Sequence, residues 1–563
     1  MDDVDAVQAQ IGRNMLESGD WVTARLDGVA YLEKSPLKYW TIAASFAIFG
    51  VHDWAARLPM AMFTILLCWV TARFAAWAFS PRAGLYSGLV MATCIGLYLF
   101  TRILIPDAAL TVAIAVSMWA FLRALDPKER NPRLWAAVLA AGIATGLLLK
   151  GLIAAVFPVG AALVFLVATH RLFDRKTWSR LHPWSGLLII IVIAAPWHIL
   201  ATLRNPPYFA WTLQSQPGHY HGFFWFYFVN EHLLRFLNMR YPRDYNTVPR
   251  PLFWLLHLVW LFPWSVFLPA VFRLNYRPVD RAGQTRLLAL CWIGFVLVFF
   301  TFSSTQEYYS MPCYPAFALL LGCAIAAGDG WLPIGRRVLA GIAVAAALAI
   351  SVILVKVWTT PAPGDISQAL TQHPEEYTLS LGHMGDLTLQ SFAYLRGPLI
   401  VAGIACVIGA AGLLAFNGGR AILSAAVMMV VFYQAARLAL IVFDPYLSSR
   451  PLANALLAAP PGKLIEDNAY YTFSSVFFYT NRRGLLWNGR QTNLEYGSNA
   501  PDAPHVFIDD AEFAHLWSGP ERCYLLIEGP RVPRAEALTG KSSLHTVAES
   551  GGKFLYTNHA GPD

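Results

Sequence analysis

The sequence predicts a mostly α, polytopic helical membrane protein with a small α/β domain at its C-terminal end. Three observations lead there. Of the 563 residues, 56% are hydrophobic and only 13% are charged, against about 25% charged in soluble domains. The apolar residues gather into runs of about 20, the length that crosses a bilayer. After about residue 444 that pattern gives way to short alternating segments.

Twelve runs qualify as spans, near 56–79, 83–104, 109–125, 134–150, 152–170, 184–203, 251–272, 286–303, 311–328, 337–357, 398–416 and 421–443. The apolar stretch 39–50 is too short to span and reads as an interfacial helix after the turn Glu33-Lys34-Ser35-Pro36. Beyond the last span, Lys463–Asn468, Gly484–Trp487, His505–Asp509 and Arg522–Glu528 read as strands. Helices over Tyr470–Tyr479 and Asp510–Trp517 alternate with them, the pattern of an α/β unit. The expected division is a transmembrane catalytic domain over 1–443 and an α/β domain over 444–563.

The net charge of +8 does not point to nucleic acid, because the basic residues sit in short loops between apolar runs. Alternate connections hold Arg82; Lys128, Arg130 and Arg133; Arg171, Arg175, Lys176 and Arg180; Arg273, Arg277, Arg281 and Arg286; Arg336 and Arg337; and Arg420. By the excess of Lys and Arg on cytoplasmic loops, these face the cytoplasm. The other face receives residues 1–55, Asp107, Lys150, the loops 204–250 and 358–397, residues 304–310 and everything after about 444. The seven cysteines show no zinc-ligand spacing and read as small apolar core residues.

Nearly all the unusual polar groups collect on that outer face. They are Asp2, Asp3 and Asp5; Glu33-Lys34; Asp107 at the start of a span; Lys150 at the end of another; Asn230-Glu231-His232-Leu233-Leu234-Arg235; Arg240-Tyr241-Pro242-Arg243-Asp244; and residues 303–310, which include Tyr308-Tyr309. Ionisable groups at membrane depth are expensive and mark function by default. Plainer roles stay open: Asp107 as a helix cap, Lys150 as a snorkelling end residue, Tyr308 and Tyr309 as interfacial aromatics. Together the groups outline a cavity with acids on one wall and cations on another. Such a cavity suits a lipid-linked sugar phosphate: Lys34, Arg235, Tyr309 and Lys150 for its phosphate, and a carboxylate for the acceptor nucleophile. Carboxylates together with His232 are also donors of the kind a divalent metal takes.

The stretch Met15-Leu16-Glu17-Ser18-Gly19-Asp20-Trp21, followed by Tyr31-Leu32-Glu33-Lys34-Ser35-Pro36, resembles the first outer loop of the 4-amino-4-deoxy-L-arabinose lipid A transferases. These are polyprenyl-phosphate-dependent glycosyltransferases of the GT-C fold, in the superfamily that includes the dolichyl-phosphate-mannose enzymes. Asp107, Lys150-Gly151, the segment Val229–Phe236 and Tyr308-Tyr309 follow in the family's order, with thirteen spans in the family against twelve here. The resemblance implies inverting transfer from an undecaprenyl-phosphate sugar to a lipid A phosphate or another envelope acceptor. It implies a bacterial inner membrane location with the site and the C-terminal domain in the periplasm. By that likeness a first-loop acid is catalytic, Asp3 being favoured over Asp5, and Asp107 is the second acid. Lys34, Arg235 and Tyr309 would hold the donor phosphate, and Glu33 and His232 match positions where a metal can sit. The sequence departs from the family at Gln306-Glu307, where a lysine precedes the tyrosines. It departs again at the first acid, where an ungapped count puts Val4 and Asp5 on the family's Asp-Glu pair.

Protein O-mannosyltransferase-like transfer to a protein hydroxyl and a sugar-lipid transporter or flippase are the alternatives. A transporter would show internal repeats and midplane charges, whereas here the charges gather at one rim. An acidic loop so close to residue 1 also raises the expectation of an upstream membrane helix absent from this sequence.

Overall fold

The computed structural model describes residues 1–242, 248–303, 305–328, 330–371 and 385–561. The chain opens with helix α1 (Asp3–Ser18), capped by the Asp2 carboxylate, which accepts from the Asp5 N–H at 2.8 Å. Gly19, at φ +71°, closes it in the left-handed region that glycine enters without strain. A short antiparallel hairpin follows, β1 (Arg25–Leu26) with β2 (Val29–Ala30), and then α2 (Leu37–Phe49). The bundle proper begins with α3 (Asp53–Ala78), α4 (Pro81–Thr93), α5 (Ile95–Phe100), α6 (Asp107–Leu125), α7 (Pro132–Lys150) and α8 (Ile153–Ala168).

Among the described residues, nine helices are long and apolar enough to cross a membrane, or ten if one bent pair counts as a span. The chain is thus a polytopic membrane protein, but three of the twelve expected spans are not continuous helices of that length. The run 83–104 is split at Cys94, whose extended backbone (φ −80°, ψ 143°) separates α4 from α5. The run 251–272 is a pair of helical segments, Arg250–Trp260 and Trp264–Val271, bent by 96° around Leu261-Phe262-Pro263. The run 152–170 keeps only the 16 residues of α8, about 24 Å at the usual helical rise against a hydrocarbon core of about 30 Å. Window hydropathy averages over such breaks and cannot register one extended residue. The two breaks satisfy each other: the Ile95 N–H donates to the Phe262 carbonyl at 3.1 Å, and the Trp264 indole donates to the Thr93 hydroxyl at 3.0 Å. That is how broken helices are tolerated in an apolar setting.

Two elements form the centre of the bundle. α6 and the segment Glu307–Ala327 are each 83% buried over their most apolar window, against 17% for Leu332–Val357. α6 is rich in alanine, and α7 faces it with Gly142 and Gly146. A Cβ on Gly142 would lie 3.1 Å from the Ala113 carbonyl oxygen. Small residues let membrane helices approach to this distance, and the closeness holds Asp107 beside Lys150 at the same end.

The C-terminal segment forms a six-stranded sheet ordered β5-β4-β3-β6-β8-β7. Its strands are β3 (Lys463–Asp467), β4 (Leu485–Trp487), β5 (Phe507–Ile508), β6 (Cys523–Glu528), β7 (His545–Ser550) and β8 (Lys553–Thr557). The first four run parallel, and β8 and β7 add an antiparallel hairpin beside β6. The boundary expected at 443/444 divides the chain but not the core. Val7, Ile11 and Met15 of α1 pack in one cluster with Leu452, Phe477 and Leu526.

Candidate active site

A cavity of about 310 Å³ opens at the sheet end of the bundle, where four segments meet. The Glu33-Lys34-Ser35 turn, the α7–α8 corner, the segment 228–236 and Tyr309 line it. The corner turns at Gly151 (φ +76°), where a Cβ would collide with the His232 ring and the Tyr227 hydroxyl. The third segment is wound as a wide π-helix over Trp225–Leu234, a form that recurs at functional sites. Tyr309 belongs to the 3₁₀ turn Glu307–Cys313 that opens a central helix. The walls are apolar, with Leu152, Ile153, Val156, Phe228, Phe299 and Phe300. The polar groups gather at one end.

Those groups are tied to one another. Arg235 donates through Nη2 to the Tyr309 hydroxyl at 2.7 Å and pairs through Nη1 with Glu231 at 3.1 Å. Arg240 reaches both Glu231 carboxylate oxygens at 2.6 Å, so Glu231 braces two guanidinium groups. Lys150 Nζ lies 2.6 Å from Asp107 Oδ1 and 5.0 Å from the ring centres of Tyr308 and Tyr309. Lys34 Nζ stands 3.6 Å from Glu33. Burial pushes the Glu33 carboxyl above its ordinary range, against the pull of Lys34. Asp107 sits just behind the cavity, 1% exposed, and its Oδ2 accepts no hydrogen bond among the described residues.

The structure therefore gathers Lys34, Lys150, Arg235, Tyr309, Glu33 and His232 around one cavity, with Asp107 touching it through Lys150. Asp5 and Asp3 lie elsewhere. Asp5 is fully buried: it accepts from the Leu104 N–H at 2.6 Å and pairs with Arg57 at 2.5 Å. Burial first, and then the neighbouring Asp2, raise its carboxyl to about 7 despite Arg57. Asp3 points the other way. Its carboxylate accepts from the Ser449 hydroxyl and the Ser475 N–H, both at 2.9 Å, and from Lys553 at 2.6 Å. Those partners all belong to the C-terminal domain. Arg243 and Asp244, and Ser304 in the 303–310 run, lie outside the described residues.

Both nitrogens of His232 are engaged, Nδ1 with the Tyr227 carbonyl at 2.5 Å and Nε2 as acceptor from the Leu152 N–H at 3.1 Å. Burial lowers the imidazole's proton affinity, in keeping with that neutral tautomer. Among the described residues no three His, Cys, Asp or Glu side chains cluster as metal ligands. Sequence reasoning also passed over Lys38, the second residue of α2. It is 2% exposed, and Nζ donates to Gln8 Oε1 at 2.5 Å and to the Leu104 carbonyl at 3.2 Å. The signal was present, since Lys38 interrupts an otherwise apolar run.

A polytopic helical bundle thus carries a small sheet, and cations and a tyrosine hydroxyl converge in an apolar-walled cavity. Residues 33–200 match the family described as dolichyl-phosphate-mannose-protein mannosyltransferase. The chain is 30% identical over 332 residues to an undecaprenyl phosphate-alpha-4-amino-4-deoxy-L-arabinose arabinosyl transferase of Pseudomonas fluorescens, a match covering 56% of this chain and 52% of that protein. It thus spans about half the length of that relative. The transferase of the same name from Erwinia tasmaniensis is 25% identical over 548 residues, covering 91% of this chain and 85% of its own. The crystal structure of ArnT from Cupriavidus metallidurans bound to undecaprenyl phosphate superposes with a TM-score of 0.77 at 23% identity, covering 99% of this chain and 95% of that one. The chain is thus similar in sequence to these arabinosyl transferases and shares its fold with the ArnT structure.

Proposed function

We propose that the chain is an integral-membrane glycosyltransferase. It moves a sugar, with inversion, from an undecaprenyl-phosphate donor to a lipid A phosphate or another envelope acceptor, on the periplasmic face of the bacterial inner membrane. The observation that carries this reading is the amphiphilic cavity, where Lys34, Lys150, Arg235 and Tyr309 meet at one end of a wall of phenylalanine and aliphatic side chains. An isoprenoid phosphate has that same division. The ArnT relative of the same fold is described as bound to undecaprenyl phosphate.

In the transfer, the acceptor oxygen forms a bond to the anomeric carbon as the bond to the donor phosphate breaks. The leaving phosphate gains negative charge. Lys34, placed by Glu33, and Arg235 and the Tyr309 hydroxyl, placed by Glu231 and by each other, stabilise it with donors already fixed in place. Asp107, joined to Lys150 at the cavity, and Asp5, which accepts from the Leu104 N–H three residues before Asp107, are the carboxylates we assign to the acceptor side. A phosphate acceptor arrives ionised and needs only orientation, whereas a hydroxyl acceptor gives up its proton to a carboxylate. Asp3 serves as an anchor of the C-terminal domain in this reading. A second cavity of about 1280 Å³ lies between bundle and sheet, lined by the cations Arg57, Arg102, Arg437 and Lys553 and by the acids Asp2, Asp3, Asp53, Asp444 and Glu528.

Mass spectrometry of lipid A and envelope glycans, with and without the gene, tests the reading. A gain of one pentosamine or one hexose identifies donor and acceptor class together. Unchanged envelope glycans, with no release of undecaprenyl phosphate by the purified chain in vesicles, would sink it. The match of residues 33–200 to the protein mannosyltransferase family favours one other acceptor, a protein hydroxyl. Glycosylated Ser or Thr in envelope proteins would establish that version.

A further inference from the structure

Buried lysines are rare because removing an ammonium from water costs several kcal/mol unless partners compensate. Lys38 has few partners. Its Nζ donates to Gln8 Oε1, which also accepts from the Tyr39 hydroxyl at 3.1 Å, and to the Leu104 carbonyl. Leu104 is held from its other side too, because its N–H donates to Asp5. Three residues further on, Asp107 begins α6 and pairs with Lys150. Asp5, Lys38 and Asp107 thus converge on the single segment Leu104–Asp107. The charged groups that act on Lys38 are Asp5 and Asp107, which favour its charge, and Lys34 and Lys150, which oppose it. Lys34 and Lys150 border the donor cavity, and Ile103, next to Leu104, borders the larger one with Arg57 and Asp2.

We propose that Lys38 is a positioning residue: a buried cation that, through the Leu104 carbonyl, fixes the Leu104–Asp107 segment to which Asp5 is bonded and from which Asp107 reaches Lys150 at the donor cavity. The inference rests on the transferase reading for its effect on turnover. Burial brings the Lys38 ammonium down to about 7 and the Asp5 carboxyl up to about 7, so both lose their protons over the same range as pH rises.

The test compares Lys38→Met, Lys38→Arg and Gln8→Leu with the wild type, each as the full chain in vesicles. Transfer from an undecaprenyl-phosphate sugar is followed against pH, and the ionisation of Asp5 is followed separately by infrared difference titration, with Asp5→Asn identifying its band. Lys38→Met is expected to lower kcat by at least about tenfold with KM for the donor within about twofold. It should move both the acid limb of the pH profile and the Asp5 titration upward by about one unit, because a cation that favoured the carboxylate is gone. Gln8→Leu should move them the same way by less. Lys38→Arg keeps the charge and should leave the Asp5 titration in place. Equal loss in Met and Arg variants with no movement of either titration would reduce Lys38 to packing and overturn the proposal. A shifted Asp5 titration in a chain that transfers no sugar, wild type included, would uphold the link between Lys38 and Asp5 and overturn the transferase reading.

Discussion

Arg235 and Tyr309 are 74 residues apart in sequence, yet a guanidinium nitrogen lies 2.7 Å from the phenol oxygen. Glu231, four residues before Arg235, pairs with the other terminal nitrogen of that guanidinium at 3.1 Å. Replacing Arg235 or Lys34 with alanine should lower kcat/KM about 10²-fold or more, the usual loss for a donor that meets developing charge. Steady-state release of undecaprenyl phosphate measures it, and an unchanged rate in both variants would remove them from the donor site. Asp5 carries a prediction of sign. Its folded carboxyl, up at about 7, holds a proton that the unfolded chain gives up near 3.8. Protonation therefore stabilises the fold at acidic pH, and that contribution is lost as pH rises from about 4 through about 7. Transfer should run the other way, rising through neutrality as Asp5 ionises. Asp5→Asn should flatten both curves, read by thermal melts and by rates across the same buffers. The polar rim was legible residue by residue because a charge in an apolar chain needs a reason. Which acid faced which way was not: Asp3 and Asp5 are two residues apart, about 200° around a helix, and no pattern in the first loop said which side met the cavity.

Among the elements, α1 is the one whose role the structure changes most. Its apolar face joins the sheet domain's core, and its first turn gives Asp3 to Ser449, Ser475 and Lys553. Asp3 is 5% exposed and the Lys553 side chain 13%. Removing one partner of so buried a pair costs about 3 kcal/mol. Asp3→Asn should therefore lower the melting temperature clearly, and adding Lys553→Met should cost much less than the sum of the two single changes. Additive losses would mean that the pair does not act as a unit. The breaks at Cys94 and Phe262-Pro263 were not legible for a different reason. Hydropathy follows composition, and both segments are as apolar as an unbroken span. Only their mutual hydrogen bonds explain why helix ends are tolerated there.

At the scale of the whole molecule, the two ends of the chain build one core. Tyr31 and Tyr39, near the start, share a cluster with Leu464, Tyr524 and Leu555, near the end. Deleting 445–563 should leave α1 and the β1–β2 hairpin without a partner, so the truncated protein should aggregate or melt far below the full chain in size-exclusion and thermal assays. A monodisperse, equally stable truncation would mean that the bundle and the sheet domain fold independently.

The sequence by itself determined the membrane class, the side on which the charges collect, four strands of the terminal sheet, and the candidates Lys34, Lys150, Arg235 and Tyr309. Each of these follows from local composition, because the bilayer penalises polar groups one residue at a time. The tertiary structure decided which acids stand near the cavity, that His232 spends both nitrogens on backbone groups, that Lys38 is buried against Gln8 and the Leu104 carbonyl, and that three apolar runs are broken or short. Those depend on the direction of side chains and on partners far away in sequence, and local composition carries neither.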